Sequence, residues 1–228
     1  MAIHPIVLYG SPVLRKKAKP VTADNMSTLI PLIEDMYETM HNAHGVGLAA
    51  PQIGKSIRMF VIDVSPIEEY KHSVPFVVIN PHILAVSNDQ NSYEEGCLSI
   101  PFLKGDVMRP TNIKLKFRDE KFVSKTLVFN DFLARVIQHE FDHLNGVLFI
   151  DKMSKTSKAG LSEKLQAIQN GSDRNVSDYA RISGIEYLKS EDFLTMLNNN
   201  KTSEFKKIHT KDRPLSEKEI IEWKKIFG

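Results

Sequence analysis

At 228 residues the chain is long enough for one sizeable core, or for one domain with an extension. Its 42% hydrophobic and 25% charged residues are ordinary globular values, and a formal net charge of +2 gives no global argument for nucleic acid. No apolar run approaches the roughly 20 residues of a membrane-spanning helix, the opening MAIHPIVLYGSPVLRKKAKP lacks the basic-then-apolar layout of a signal peptide, and a single cysteine, Cys97, leaves no intramolecular disulfide. The cytoplasm is the expected location, with an organelle as the alternative had a transit segment been trimmed.

Taken in order, VTADNMSTLIPLIEDMYETMHNAHG predicts a helix of about 15 residues, since Leu29, Leu32, Ile33, Met36 and Met40 recur at helical spacing. Pro31 suits a first turn, and Gly45 is a stop. GVGLAAPQIG has no strong period and reads as a loop. IRMFVIDV and PFVVINP read as short buried strands, and IKLKF with KTLVF reads as a hairpin across a polar turn at residues 118–121. A polar loop is expected before Cys97 and a strand after it. NDFLARVIQHEFDHLNG predicts a helix capped by Asn130 or Asp131 and stopped by Gly146.

Beyond Met153 the chain turns polar. Short helices are expected over 161–169 and 185–198, and a last one where Ser216 and Glu219 form a capping box before Ile220, Ile221, Trp223 and Ile226. This divides the chain into a catalytic domain over 1–153 and a mostly helical extension over 154–228. The charge is −1 over 1–150 and +3 over 151–228, so the extension is slightly basic. No internal repeat is visible, and the asparagines at 198–200 are the one low-complexity tract.

QHEFDH places His139 and His143 four apart, on one helix face a turn apart, with Glu140 beside them. Two imidazoles so placed can share a metal ion, with the glutamate as general base. Chance charges on a solvated helix are the plain alternative. A catalytic site of this kind takes three protein ligands and leaves a position for water. Phe149 stands where one peptidase class has its third histidine, and phenylalanine cannot bind metal. Glu163, in the polar extension, has no active-site context. Cys97 in EEGCLSIP remains. A free cysteine is most often a small buried hydrophobe, yet a thiolate with two imidazoles is a sensible tetrahedral set.

Three stretches together, GVGLAAPQ (45–52), EGCLS (95–99) and QHEFDHLNG (138–146), resemble the signature motifs of peptide deformylases in order and spacing. HPIVLYGSPVLRKKAKPV resembles that family's start, and the likeness covers roughly residues 4 to 153. It implies an α+β fold with antiparallel strands packed around a central helix carrying the HExxH motif. It also implies one divalent ion on Cys97, His139 and His143. Fe²⁺ is then the native metal, and Zn²⁺, Ni²⁺ or Co²⁺ are substitutes. The reaction implied is removal of the formyl group from N-formylmethionyl nascent peptides, with release of formate. Metal-bound water is the nucleophile, Glu140 the general acid and base, and the Gln52 amide and Leu98 N–H the oxyanion donors.

The same likeness lays the peptide along Gly45, Val46 and Gly47, whose glycines admit close backbone approach. Tyr93, Glu95, Gly96, Phe132, Arg135 and Val136 fall on its substrate side, and Glu95 and Asp142 serve to orient ligands or hold the loop. Arg135, Tyr93 and Lys104 depart from the family's usual residues. Arg135 is expected to narrow the pocket, or to send its head to solvent over a packed stem. Expected partners are the nascent peptides and the ribosome surface, with no specific nucleic-acid or membrane binding. Competing readings are a metallo-amidase for another acyl group, a retired metal-binding module and a zinc endopeptidase. Glu140 and all three ligands are present, which argues against the second, and Phe149 argues against the third.

Overall fold

The structure, a computed structural model, describes residues 2–183 and 185–189. β1 (Ile6–Val7) leads to α1 (Met26–Asn42), β2 (Gly47–Ala49), β3 (Met59–Ile62) and β4 (Phe76–Val86). β5 (Gln90–Cys97), β6 (Ile100–Pro110), β7 (Asn112–Arg118) and β8 (Ser124–Asn130) precede α2 (Asp131–His143). α3 (Lys155–Gly160), α4 (Ser162–Gln169), α5 (Arg174–Ser183) and β9 (Tyr187–Leu188) follow. β2, β3, β4, β7 and β8 form one antiparallel sheet in that order, while β5 and β6 pair as a separate antiparallel ribbon. The class is α+β.

The run MFVI of β3 is apolar at every position because the sheet is covered on both faces. Met59 and Val61 pack with Met36 and Met40 of α1. Phe60 and Ile62 pack with Ala134, Val136 and Ile137 of α2. Alternate side chains of a strand point to opposite faces, so a strand under two helices loses the polar half of its pattern. The expected hairpin is β7 with β8, where Ile113, Leu115 and Phe117 face the α2 side.

Helix ends hold the motif helix in place. α2 finishes with Gly146 at φ +73, where the Gly146 N–H donates to the His143 carbonyl and the Val147 N–H to that of Asp142. A Cβ on Gly146 would also meet the Arg15 carbonyl oxygen at 2.5 Å. Arg58 donates to the Leu144 carbonyl at 3.2 Å, placing a cation at the negative end of the helix. At the other end Asn130 sits at the cap position without a side-chain cap bond, unlike the expectation.

Four further expectations differ. GVGLAAPQIG is not a plain loop: Gly47–Ala49 is an edge strand paired with Val61 and its neighbours, and Ala50–Ile53 is a 3-10 turn. The polar stretch before Cys97 is β5, held by its register with β6 along its length rather than by β-propensity. Pro31 is the sixth residue of α1, on its exposed side, where water can take the carbonyl its missing N–H leaves. α1 ends at Asn42 and the chain turns away at His44, which takes φ +56, while Gly45 only donates its N–H back to Met40.

The expected helix over 161–169 is α4. That over 185–198 is not found where the chain is described, since Tyr187 and Leu188 pair parallel with Ile6 and Val7 and Leu188 packs on Val7, Val13 and Leu14. Its remainder, the asparagine tract and the helix from Ser216 lie outside the described residues. Leu165, Ile168 and Val176 pack with Cys97, Ile100, Leu103 and Val107, so α4 and α5 cover the back of the ribbon.

Asp151 ties the N-terminal segment at Arg15 to α3 at Lys158. Its carboxylate accepts from Arg15, from Lys158 at 2.8 Å and from the Leu148 N–H at 2.9 Å. Burial raises its pKa, but Arg15, Lys158 and Leu148 outweigh it and hold the carboxyl at about 2. A carboxyl depressed on folding stabilises above its unfolded pKa, about 3.9, and that stability is lost as pH falls toward the folded value. Asp151→Asn is therefore expected to cost about 1 kcal/mol at pH 7, allowing for partial solvent screening. Urea melts at pH 7 and pH 3 should show the difference from wild type shrinking at the lower pH.

Candidate active site and metal centre

Two elements meet to form the site. Cys97 closes β5, and His139 and His143 stand a turn apart on α2. One ligand atom from each lies within 4.8 Å of the others, and Cys97 Sγ is 3.2 Å from His143 Nε2. His139 donates from Nδ1 to Glu95 Oε2 at 3.0 Å, which leaves Nε2 for the sulfur side. Burial opposes a charge on His139, but Cys97 and Glu95 outweigh it and hold the imidazole well above its ordinary pKa. His143 is pushed the other way, by burial and by the charges of His139 and Arg109. Its Nδ1 is buried with no hydrogen-bond partner among the described residues. One soft sulfur and two imidazoles converging in a water-poor place suit a divalent transition-metal ion.

Glu140 is 4% exposed, and its Oε2 has no hydrogen-bond partner among the described residues. Burial pushes its carboxyl up to about 7, against the charges of His139 and Arg109. A dication at the three donors would draw it down again. Gln52 is buried beside it. Its Oε1 accepts the Ala49 N–H at 2.7 Å, so the amide nitrogen points the other way and lies 3.6 Å from Cys97 Sγ.

Cys97, His139, Glu140 and Gln52 open on one cleft. Its walls are Gly45, Val46, Gly47 and Gln52 on one side and Tyr93 to Leu98 on the other, with Phe132, Arg135, Val136, His139 and Glu140 from α2 beneath. Edge strands therefore flank the cleft: β2 ends its sheet, and β5 is paired only with β6 among the described residues.

Comparison with known proteins decides the family. The polypeptide deformylase family model matches residues 3–159. The chain belongs to the polypeptide deformylase family. A peptide deformylase of Chlorobaculum parvum is 50% identical over 169 residues, covering 74% of this chain and 89% of its own. One from Chlorobaculum tepidum is 46% identical over 189 residues, covering 83% of this chain and 99% of its own. The crystal structure of peptide deformylase from Thermotoga maritima superposes with a TM-score of 0.62 at 45% identity, over 68% of this chain and 99% of that one. Deformylases hydrolyse the N-formyl amide of nascent peptides with a metal ion, and this chain is an enzyme of that family. No helix among the described residues is long and apolar enough to cross a membrane.

The remaining expected positions can now be located on the deformylase cleft. Val46, Phe132 and Val136 form apolar wall, and Tyr93, 43% exposed, stacks obliquely on Phe132 at the rim with ring centroids 5.8 Å apart. Lys104 lines the cleft and pairs with Glu94 at 3.4 Å. Glu95 is a different matter. Both its oxygens are taken by Arg109, Arg135 and His139, which leaves them to the protein rather than to substrate. Arg135 does not send its head to solvent: the side chain is buried, with the guanidinium on Glu95. Phe149 stacks on His139 with centroids 6.3 Å apart, so the residue that replaces a third histidine packs against the first.

Arg109 was not singled out in the sequence. It is 2% exposed and grips Glu95 with two nitrogens at 2.6 and 2.9 Å and Asp142 with a third at 2.7 Å. A signal existed: Leu103, Val107 and Arg109 fall at even spacing on one strand face. It is invisible until LKGDVMRP is recognised as a strand.

Gly47 is a glycine for a reason the sequence did not give. A Cβ there would lie 2.6 Å from Glu140 Oε1 and 3.0 Å from Cδ. Its φ is not in the left-handed region, so the constraint is steric. Gly47→Ala is expected to fold, to lose at least 10-fold in kcat by displacing the Glu140 carboxylate, and to change KM less. Steady-state kinetics beside a thermal melt checks this. Gly45 has its own neighbour, since a Cβ would stand 2.8 Å from Leu98 Cδ1.

Proposed function

We propose that this chain removes the formyl group from the N-terminal formylmethionine of nascent peptides in the cytoplasm, releasing formate. One divalent ion, Fe²⁺ in the native enzyme, would be held by Cys97, His139 and His143. The reading is carried by the convergence of those three donors beside a buried glutamate, in a cleft between two strand edges. The motif helix then serves as the central element of a catalytic domain over 1–153, with 154–228 as an appendage. Contact of the slightly basic appendage with the ribosome surface belongs to the same reading.

A cation at the three donors would supply Lewis-acid activation of water near neutral pH. The protein does the rest. Glu140 takes the proton of the attacking water and returns one to the leaving amine, and burial keeps it from competing water. The Gln52 amide, aimed by the Ala49 N–H at its Oε1, and the Leu98 N–H donate to the developing oxyanion. The peptide extends along Gly45 to Gly47, pairing with the open edge of β2. Val46, Tyr93, Gly96, Phe132, Val136 and the stem of Arg135 enclose the methionine side chain.

Formate release from formyl-Met-Ala-Ser tests this, using protein purified without oxygen and loaded with Fe²⁺. Turnover is expected. Hydrolysis of acetyl-Met-Ala-Ser without hydrolysis of the formyl peptide would point instead to another acyl group. Gln52→Ala should lower kcat about 100-fold, close to 3 kcal/mol of transition-state stabilisation, with KM little changed. Equal activity in that variant would remove Gln52 from the oxyanion site.

A further inference from the structure

We propose that Arg135 is a positioning residue for His139, acting through Glu95, and that it sets the affinity of the three donors for their ion. The inference rests on the metal reading above. Arg135 lies one turn before His139 on α2. Its guanidinium donates to Glu95 Oε1 at 2.7 Å, to the Val107 carbonyl at 3.0 Å, and to the Asn91 carbonyl and Oδ1 at 2.8 and 2.5 Å. The other carboxylate oxygen of Glu95 receives His139 Nδ1. Arg135, Glu95 and His139 thus close a ring with one turn of the helix.

Arg109 grips Glu95 from within the same ribbon, across the β5–β6 pairing, and reaches the far end of α2 through Asp142, beside His143. Arg135 ties the same carboxylate to α2 one turn before His139, while holding carbonyls of both ribbon strands. The planar five-donor fork of arginine is required, because an ammonium has only three donors on one atom and cannot serve four acceptor atoms. Burying a second cation is tolerated because Glu95 and Asp142 balance Arg109 and Arg135. The ring fixes the His139 tautomer and its orientation, so the ion meets a donor already in place.

The rival role is a plain wall of the methionine pocket, suggested by the guanidinium 5.5 Å from the Tyr93 ring. The two separate by experiment. Metal-free wild type, Arg135→Met, Arg135→Lys and Asn91→Ala are titrated with Co²⁺, following thiolate charge-transfer and ligand-field bands, and kcat and KM are measured on the loaded proteins. Arg135→Met should bind Co²⁺ 10–100-fold more weakly, the range for partners that orient metal ligands, and should lose kcat more than KM. Arg135→Lys should fall between, and Asn91→Ala, at an exposed position, should show a smaller loss in the same direction. Wild-type Co²⁺ affinity with a change confined to KM overturns the proposal. If Arg135→Met does not fold, unchanged affinity in Arg135→Lys and Asn91→Ala overturns it. A wild type without a thiolate–Co²⁺ band would remove the metal reading itself, a distinguishable failure.

Discussion

Glu140→Ala is expected to lower formate release by about 10³-fold while leaving the metal content unchanged. The carboxylate is buried and is not one of the three clustered donors, so removing it leaves Cys97, His139 and His143 untouched. Its Oε2 has no partner among the described residues, and Oε1 is crowded against Gly47. A carboxylate held so carries a desolvation cost that the charges of His139 and Arg109 offset only in part, since its pKa stays raised. Alanine should therefore fold as stably as wild type or more so, and the melting temperature should not fall while activity does. That opposition distinguishes a catalytic group from a structural one. Glu140→Gln refines the test, since it keeps the volume packed on Gly47 and removes only proton transfer. Near-wild-type turnover in either variant would exclude the general-base role, and metal analysis on the same samples separates lost chemistry from lost ion.

Much of the fold was legible because its periods are strong. α2 carries an apolar stripe and a glycine stop, and the β7–β8 hairpin alternates, so each pattern has one cheap solution. β5 was not legible. QNSYEEGC has little β-propensity and is strand only through its pairing with β6, which is information about another segment. β2 was missed for a similar reason: three residues with a glycine at Gly47 become strand by pairing with β3 and lying against Glu140. The motifs named the candidate donors, whereas the network behind them could not be read. Arg109 looks like a surface charge in a string of letters, and Arg135 is placed beside the substrate with no sign of its hold on Glu95. Burial is what makes them structural, and burial follows from the ribbon folding over α2. The helix expected over 185–198 failed at its first residues because Tyr187 and Leu188 find strand partners 181 residues earlier in the chain.

Cys97→Ser should reduce metal affinity by more than the roughly 10–100-fold typical of losing an outer partner, because it removes a donor outright. Cys97 is 5% exposed, and its sulfur lies 3.2 Å from His143 Nε2 and 3.6 Å from the Gln52 amide nitrogen. A serine hydroxyl is shorter, harder and protonated at neutral pH, whereas a thiolate brings negative charge to the cation. The position also matters to folding, since Cys97 packs among Ile100, Leu103 and Phe149. Serine there puts a hydroxyl into an apolar layer, at a cost of about 1–3 kcal/mol if it finds no partner. The variant should thus be both poorer in metal and less stable, and the two effects separate under a chelator. Dialysis against a chelator, with metal counted per chain, should strip Cys97→Ser at concentrations that leave wild type loaded. Once both proteins are metal-free, the remaining gap in melting temperature is the packing cost alone. Full occupancy in the variant would mean that the ion is held without the sulfur, leaving Cys97 as the small buried hydrophobe that a lone cysteine most often is.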